Sequence, residues 1–165
     1  MTDREEWQKS RTYTPEVLRL ARAVLEEVRR GRAVDQAVRR HPGPQGGYLP
    51  KHALVAAYRG LVESGEWTED PALLARIRMK PVRTLSGVTT VTVLTKPYPC
   101  PADCLFCPSD VRMPKSYLPD EPGARRGLEH GYDPYGQVSS RLAALQAVGH
   151  PVDKVELLIL GGTWS

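Results

Sequence analysis

Two short runs of β-branched and aliphatic residues lie on either side of one helical pattern, and no other feature constrains the fold as strongly. The runs are Val88–Thr95 and Val155–Leu160, and each has the length and composition of a buried strand. Between them, Asp133-Pro134 begins a helix that ends at Gly149 and repeats its apolar residues at helical spacing. A strand, a helix and a strand in this order predict a βαβ unit with parallel strands and a right-handed crossover.

Residues 1–83 carry the pattern of a small helical domain instead. Thr14 and Asp70 are N-cap residues, and each is followed by a proline at the first helical position. The predicted helices run from Pro15 to Gly31, from Val34 to Arg40, from about Pro50 to Gly65 and from Pro71 to about Lys80. The domain boundary is therefore predicted at residues 83 and 84.

The second domain, residues 84–165, is predicted to be incomplete. Two strands cannot form a stable sheet whose faces are both covered, so we expect them to be the first strands of a larger sheet or barrel. The segment 96–132 between the first strand and the helix is predicted to be a long functional loop. The predicted fold class is thus α+β to α/β, a small helical domain followed by the first βαβ portion of the larger structure.

The charge is distributed unevenly between the two halves. Residues 1–83 contain 16 Lys and Arg against 11 Asp and Glu, whereas residues 84–165 contain 7 against 8. This asymmetry predicts a front half that binds a polyanion such as a nucleic acid, although a solvated helical surface would give the same pattern. Five arginines cluster around two predicted helix ends: Arg29, Arg30, Arg32, Arg39 and Arg40.

The apolar residues do not indicate a membrane protein. No run of about 18 apolar residues exists, so no transmembrane helix is predicted, and the charged start lacks the apolar stretch of a signal peptide. We therefore expect a cytoplasmic protein. Nothing in the sequence determines the oligomeric state, and a homo-oligomer stays open.

Three cysteines follow the first strand within eight residues: Cys100, Cys104 and Cys107. An odd, tightly spaced set argues against a disulfide framework. Three thiolates can hold three irons of a [4Fe–4S] cluster and leave the fourth iron open to a small molecule. A structural zinc site would need a fourth ligand, for which His130 is the candidate, and unligated thiols are the third alternative.

The C-x3-C-x2-C spacing resembles the radical S-adenosylmethionine (SAM) superfamily, whose catalytic domain is a partial TIM-like barrel. The resemblance implies that SAM binds the open iron and is cleaved reductively to a 5′-deoxyadenosyl radical. It further implies that Phe106 lies near the adenine and that Gly161, Gly162 and Thr163 contact SAM, although Thr163 stands where an acid is commoner. Lys115, in a loop predicted to pack over the cluster, is a further candidate for contact with SAM.

The flanking residues resemble the catalytic subunit of Elongator, in its archaeal and bacterial single-protein form. The segments that carry this resemblance are 80–88, 91–101, 113–118, 121–124 and 149–157. The resemblance implies a tRNA acetyltransferase that uses acetyl-CoA and SAM to attach a carboxymethyl-type group to C5 of the wobble uridine in the anticodon loop. It also implies that most of the barrel and the acetyltransferase domain, with its acetyl-CoA site, lie outside these 165 residues, so we expect the chain alone to be inactive.

In this family the helical region binds tRNA together with the barrel, because basic side chains neutralise phosphates. The candidate tRNA-binding residues are Lys51, His52, Arg76, Arg78, Lys80 and Arg83. Two other functions stay open at this point. One is a non-enzymatic RNA-binding module with a structural metal, and the other is a radical SAM enzyme with a small-molecule substrate.

Overall fold

The computed structural model describes residues 13–102, 104–108 and 110–162. The chain divides into two compact units. One runs to Arg83 and includes Gln146–His150, and the other is formed by Thr84–Leu145 and the residues from Pro151 onward. Within the described ranges, no helix is long and apolar enough to cross a membrane.

The first unit is helical, and two of its helices begin at the predicted capping residues Thr14 and Asp70. Its helices are α1 (Pro15–Arg29), α2 (Val34–Arg40), α3 (Lys51–Glu63) and α4 (Pro71–Ile77). The Thr14 hydroxyl accepts a hydrogen bond from the Val17 amide, and the Asp70 carboxylate accepts one from the Leu73 amide. Both bonds satisfy amides that a helix N-terminus leaves without an intrahelical partner. The predicted N-caps are therefore confirmed.

The core of the helical unit joins apolar faces from all four helices. Leu25, Leu54 and Ile77 are fully buried at its centre. The short segment Gln146–His150 belongs to the same unit, although it follows the residues of the α/β unit in sequence. The Arg78 guanidinium donates to the Gly149 carbonyl oxygen at 2.8 Å, which ties this segment to the end of α4.

The second unit contains a two-stranded parallel sheet with helices, so the predicted mixed α/β class is confirmed. A 3₁₀ turn (Pro81–Thr84) precedes β1 (Thr89–Leu94), and α5 (Pro122–Glu129), α6 (Pro134–Ala147) and β2 (Val155–Leu160) follow. The register pairs Thr89 with Val155 and Leu94 with Leu160. The larger barrel stays a prediction.

Helix α5 corrects the prediction of an unbroken loop over 96–132. Its sequence contains Pro122, Gly123 and Gly127, which disfavour a helix when they are considered locally. Packing reverses this preference. A Cβ on Gly127 would lie 3.2 Å from the Cβ of Leu94, so glycine lets the helix approach β1 closely. Pro122 occupies the first turn, where it is tolerated.

The edge of β1 that faces away from β2 is covered by side chains. In a parallel ladder, the peptide groups of alternate residues face opposite edges of the strand. Those of Thr92 and Leu94 face the edge away from β2. The fully buried Gln137 amide donates to the Leu94 carbonyl at 3.0 Å and accepts from the Leu94 amide at 2.9 Å. The Arg126 guanidinium donates to the Thr92 carbonyl at 2.7 Å, and burial lowers the pKa of Arg126.

The two strands differ in exposure. The Val91 and Val93 side chains of β1 are buried, at 0% and 5% relative exposure. Leu157 and Ile159 of β2 are about half exposed, at 50% and 52%. Within the described part of the chain, β2 pairs with β1 alone. A strand of this composition is usually covered on both faces, and here β2 is not.

Candidate functional site

The cysteine loop leaves the carboxyl end of β1 and contains a tight turn between two of the cysteines. The Cys107 amide donates to the Cys104 carbonyl oxygen at 3.1 Å. This turn directs the two residues at its tip, Leu105 and Phe106, into solvent, where they are 90% and 94% exposed. The residue predicted to lie near the adenine is thus at the surface of the unit.

None of the three cysteines forms a disulfide, and Cys104 is exposed while Cys100 and Cys107 are half-buried. Among the described residues, no three His, Cys, Asp or Glu side chains are grouped as a metal site requires, so neither the three cysteines nor a zinc set with His130 is gathered. The chemistry of the donors still fits an iron–sulfur cluster, since three accessible thiols are three ligands for three irons. His130 is the C-cap residue of α5.

The glycines after β2 lie against the loop that follows β1. A Cβ on Gly161 would overlap the hydroxyl oxygen of Thr95. A Cβ on Gly162 would lie 3.3 Å from the Cβ of Lys115 and 3.4 Å from its backbone nitrogen and oxygen. The carboxyl ends of the two strands therefore bring Lys115 and the two glycines together, as the parallel topology predicts. The third residue of the predicted SAM-binding segment, Thr163, lies outside the described residues.

The far part of the loop is fastened by two sets of contacts. The buried Met113 packs with Leu94, and the hydroxyl of Tyr132 donates to the Arg112 carbonyl oxygen. The Arg112 guanidinium donates two hydrogen bonds to the Asp110 carboxylate, at 3.0 and 2.6 Å. Hydrogen bonds from Arg112 lower the pKa of Asp110 to about 2.

A cleft of about 310 Å³ opens beside this fastened segment. It is lined by residues from two parts of the loop, 97–99 and 110–115, and Lys115 is among them. Most of its wall is apolar, with the Asp110 carboxylate and the Lys115 ammonium as the charged groups. Pockets that combine apolar walls with a few polar groups are typical of small-molecule sites.

The predicted tRNA-binding residues of the helical unit fall into two sets. The Arg76 guanidinium donates to the carbonyl oxygens of Val28 at 2.8 Å and Arg32 at 2.6 Å, and that of Arg78 is bonded to Gly149 as described above. The guanidinium groups of Arg76 and Arg78 are therefore bound to backbone carbonyls of the helical unit itself. The second set is Lys51, Lys80 and Arg83, which are exposed, together with the half-buried His52, whose ring is hydrogen-bonded to Tyr13.

The carboxylate of Glu27, which no sequence pattern indicated as important, is ion-paired with two arginines of the cluster. Glu27 of α1 is paired with Arg32 at 2.7 Å, with Arg40 at 3.3 Å and with His41 at 3.2 Å. Burial alone would raise the pKa of Glu27, but the hydrogen bond with His41 and the charges of the two arginines outweigh it, so the pKa lies below its ordinary value. The helical spacing of Glu27 on α1 gives no sign of these partners, because they come from beyond the helix.

Beside this carboxylate lies a basic cleft of about 430 Å³. Its lining includes Arg30, Arg32 and Arg40. A second cleft shares Arg30 and is bounded by Trp67, whose ring lies 4.3 Å below the Arg29 guanidinium carbon. Arginines beside an aromatic ring are a combination that binds phosphates and unstacked bases, although the Trp67 ring is itself partly buried against the core of the helical unit.

These features define the class of the protein: a basic helical unit and a parallel βαβ unit whose strand ends carry a three-cysteine loop and a Gly-Gly pair. Comparison with known proteins makes the class specific. The chain is 51% identical over 82 residues to the tRNA uridine(34) acetyltransferase of Dehalococcoides mccartyi, which covers 50% of this chain and 18% of that protein. It is 46% identical over 102 residues to the enzyme of the same name from Methanocaldococcus jannaschii, or 58% of this chain and 19% of that protein.

A eukaryotic relative gives the same result. Elongator complex protein 3 of Schizosaccharomyces pombe is 41% identical over 104 residues, which covers 56% of this chain and 19% of that protein. The resemblance to the catalytic subunit of Elongator is therefore confirmed over about half of the chain. The aligned part spans about a fifth of the length of these curated relatives. No family model matches the chain.

Proposed function

We propose that this chain is the N-terminal part of a cytoplasmic radical SAM tRNA acetyltransferase that acts on the wobble uridine. The whole enzyme would use acetyl-CoA and SAM to place a carboxymethyl-type group on C5 of that base. The observation that carries the proposal is the meeting of the cysteine loop and the Gly-Gly pair at one edge of the sheet, in a chain that resembles these enzymes over about half of its length. The βαβ unit would begin the partial barrel.

The cysteines and Lys115 of the loop, and Gly162 after β2, have defined parts in this proposal. Cys100, Cys104 and Cys107 would hold three irons of a [4Fe–4S] cluster, since thiolates are the usual ligands of such clusters. When bound, the cluster together with SAM supplies the one-electron cleavage that generates a carbon radical. Gly162 has no Cβ, so the backbone of Lys115 can approach it closely, and a lysine ammonium in this loop could pair with the carboxylate of a ligand.

The helical unit would bind the tRNA. Lys51, Lys80 and Arg83 are exposed, and cations of this kind gain affinity by releasing counterions from phosphates. The cleft beside Glu27 adds Arg30 and Arg40, which neither the capping hydrogen bonds nor the core of the unit requires. The wobble base lies in a single-stranded loop, where an enzyme can reach it without opening a duplex.

Anaerobic reconstitution with iron and sulfide tests the cluster directly. We expect the chain to bind about four irons and to show the brown colour and the electron-spin signal of a reduced [4Fe–4S] cluster. Replacing any one of Cys100, Cys104 or Cys107 by alanine should abolish both, because one iron then lacks its anchor. Ser139→Ala is the matched control, since this exposed hydroxyl on α6 donates only to a carbonyl of its own helix.

The result also separates the alternatives. A colourless protein that carries zinc would contradict the proposal and favour an RNA-binding module with a structural metal. A chain that assembles the cluster but does not bind tRNA at any salt concentration would instead point to a small-molecule substrate. Full iron content in any of the three cysteine variants would show that the replaced cysteine is not an iron ligand.

A further inference from the structure

A tight turn in the cysteine loop holds a serine in a conformation that serine rarely adopts. The Tyr117 amide donates to the Pro114 carbonyl oxygen at 3.3 Å and closes a four-residue turn. Ser116, the third residue of this turn, has φ 78°. A positive φ at this position is typical of a type II turn, which favours glycine or asparagine there. A residue with a side chain at this position therefore has a conformational energy cost that glycine would avoid, and the turn itself could form with glycine.

The hydroxyl of the same residue contacts one of the candidate iron ligands. The Ser116 Oγ lies 3.5 Å from the Cys107 Sγ, within hydrogen-bonding distance for sulfur. In the free thiol either atom can be the donor. Once the cysteine has lost its proton to bind a metal, the sulfur can only accept, so the serine hydroxyl is the donor.

The residues before the serine hold the turn in place. Met113 and Pro114, which precede the serine, are buried, and Lys115 is in contact with Gly162. The backbone conformation of Ser116 is thus imposed by its neighbours. A glycine would satisfy this backbone without strain, and it would remove the hydroxyl from the sulfur.

We infer that Ser116 is a positioning residue that donates a hydrogen bond to the Cys107 thiolate and raises the reduction potential of the cluster bound there. This inference rests on the proposed function. Reduction adds a negative charge that is shared by the cluster and its thiolates, and a hydrogen bond to a ligand sulfur stabilises that charge. The strained backbone would be retained because it places the hydroxyl at the sulfur.

The test is a redox titration of the reconstituted chain, followed by the electron-spin signal of the reduced cluster. Ser116→Ala removes the hydroxyl and keeps the strained backbone, whereas Ser116→Gly removes both the hydroxyl and the strain. We expect full iron content and a lower potential in both variants. At the midpoint potential of the unsubstituted chain, the ratio of reduced to oxidised cluster should fall about three- to tenfold, which is a shift of roughly 30–59 mV for one electron. Ser139→Ala should leave the potential unchanged.

Each other outcome has a defined meaning. An unchanged potential in either variant with a full cluster would overturn the inference and leave the proposed function intact. Loss of the cluster in both variants would assign Ser116 to assembly and would also overturn it. If one variant loses the cluster, the potential of the other decides. Failure of the unsubstituted chain to assemble a cluster would contradict the proposed function, and this inference would fall with it.

Discussion

Replacing Gly161 by alanine should destabilise the sheet at the point where the two strands end. The added Cβ would overlap the hydroxyl oxygen of Thr95, while the next nearest atoms of that side chain lie 3.4 and 3.5 Å away. Only one atom is therefore in conflict. Because the backbone of Thr95 is paired with Leu160, the clash must be relieved either by turning the Thr95 side chain out of its rotamer or by moving the strand end. Overpacking of this kind costs about 1–3 kcal/mol.

The same geometry predicts a rescue. Thr95→Ala removes the conflicting oxygen and leaves the Cβ of residue 95 at an ordinary contact distance of 3.4 Å. The double variant should therefore be more stable than the sum of the two single changes predicts, with a coupling of about 1–2 kcal/mol. Gly162→Ala is the matched control, since its Cβ would meet Lys115 no closer than 3.3 Å, and we expect it to cost less than about 1 kcal/mol.

Hydrogen exchange of the Thr95 amide measures this effect where it occurs. That amide donates to the Leu160 carbonyl at 2.9 Å, so its protection reports the free energy of opening the strand ends. Protection should fall in the Gly161→Ala variant and recover in the double variant. Equal protection in all variants, or a double variant as unprotected as Gly161→Ala, would refute this account of why position 161 is glycine.

Two further predictions concern charged side chains. Replacing Lys80 and Arg83 by glutamine should reduce the slope of log Kd for tRNA against log salt by about one to two units, as filter binding over a salt series would show. Arg76→Gln should instead lower the free energy of unfolding in urea by about 1–2 kcal/mol, because two carbonyls lose their donor. A changed salt slope in Arg76→Gln with unchanged stability, or lost stability in the Lys80 and Arg83 variant with an unchanged slope, would contradict these roles. Because the pKa of Asp110 is lowered to about 2 from 3.8, its stabilising contribution is complete above the unfolded value and is lost as the pH falls through about 2. Arg112→Ala should raise this pKa toward 3.8 in a titration followed by NMR, and an unmoved pKa would remove Arg112 as its cause.

Three of the helix starts could be predicted from sequence because capping is local. Thr14, Asp70 and Asp133 each accept a hydrogen bond from an amide three residues later, and a donor and an acceptor so close in sequence find each other whatever the rest of the chain does. That the loop after β1 and the glycines after β2 lie at the same edge of the sheet was also predictable. It follows from parallel pairing, which brings the carboxyl ends of both strands to one edge.

Contacts between distant residues could not be predicted in this way. Helix α5 exists because Gly127 packs on β1 and Arg126 bonds to Thr92, 34 residues earlier, while its own composition argues for a loop. The two acceptors of Arg76 lie 48 and 44 residues away in sequence. A basic residue that binds the backbone of its own chain has the same local pattern as one that binds RNA, and only the fold separates them.

Because one edge of β1 is covered by side chains, a further strand can be added to this small sheet only at its other edge. Leu94 and Thr92 already have their peptide groups paired with Gln137 and Arg126, so a further strand could join at the covered edge only by displacing both side chains. On the other edge, β2 offers an unpaired ladder and half-exposed apolar residues within the described part of the chain. Backbone groups able to pair with another strand are therefore available on the β2 edge alone, within the described part of the chain. Any strand that extends the sheet, whether from its own protein or from a neighbour in a crowded solution, would be added beside β2.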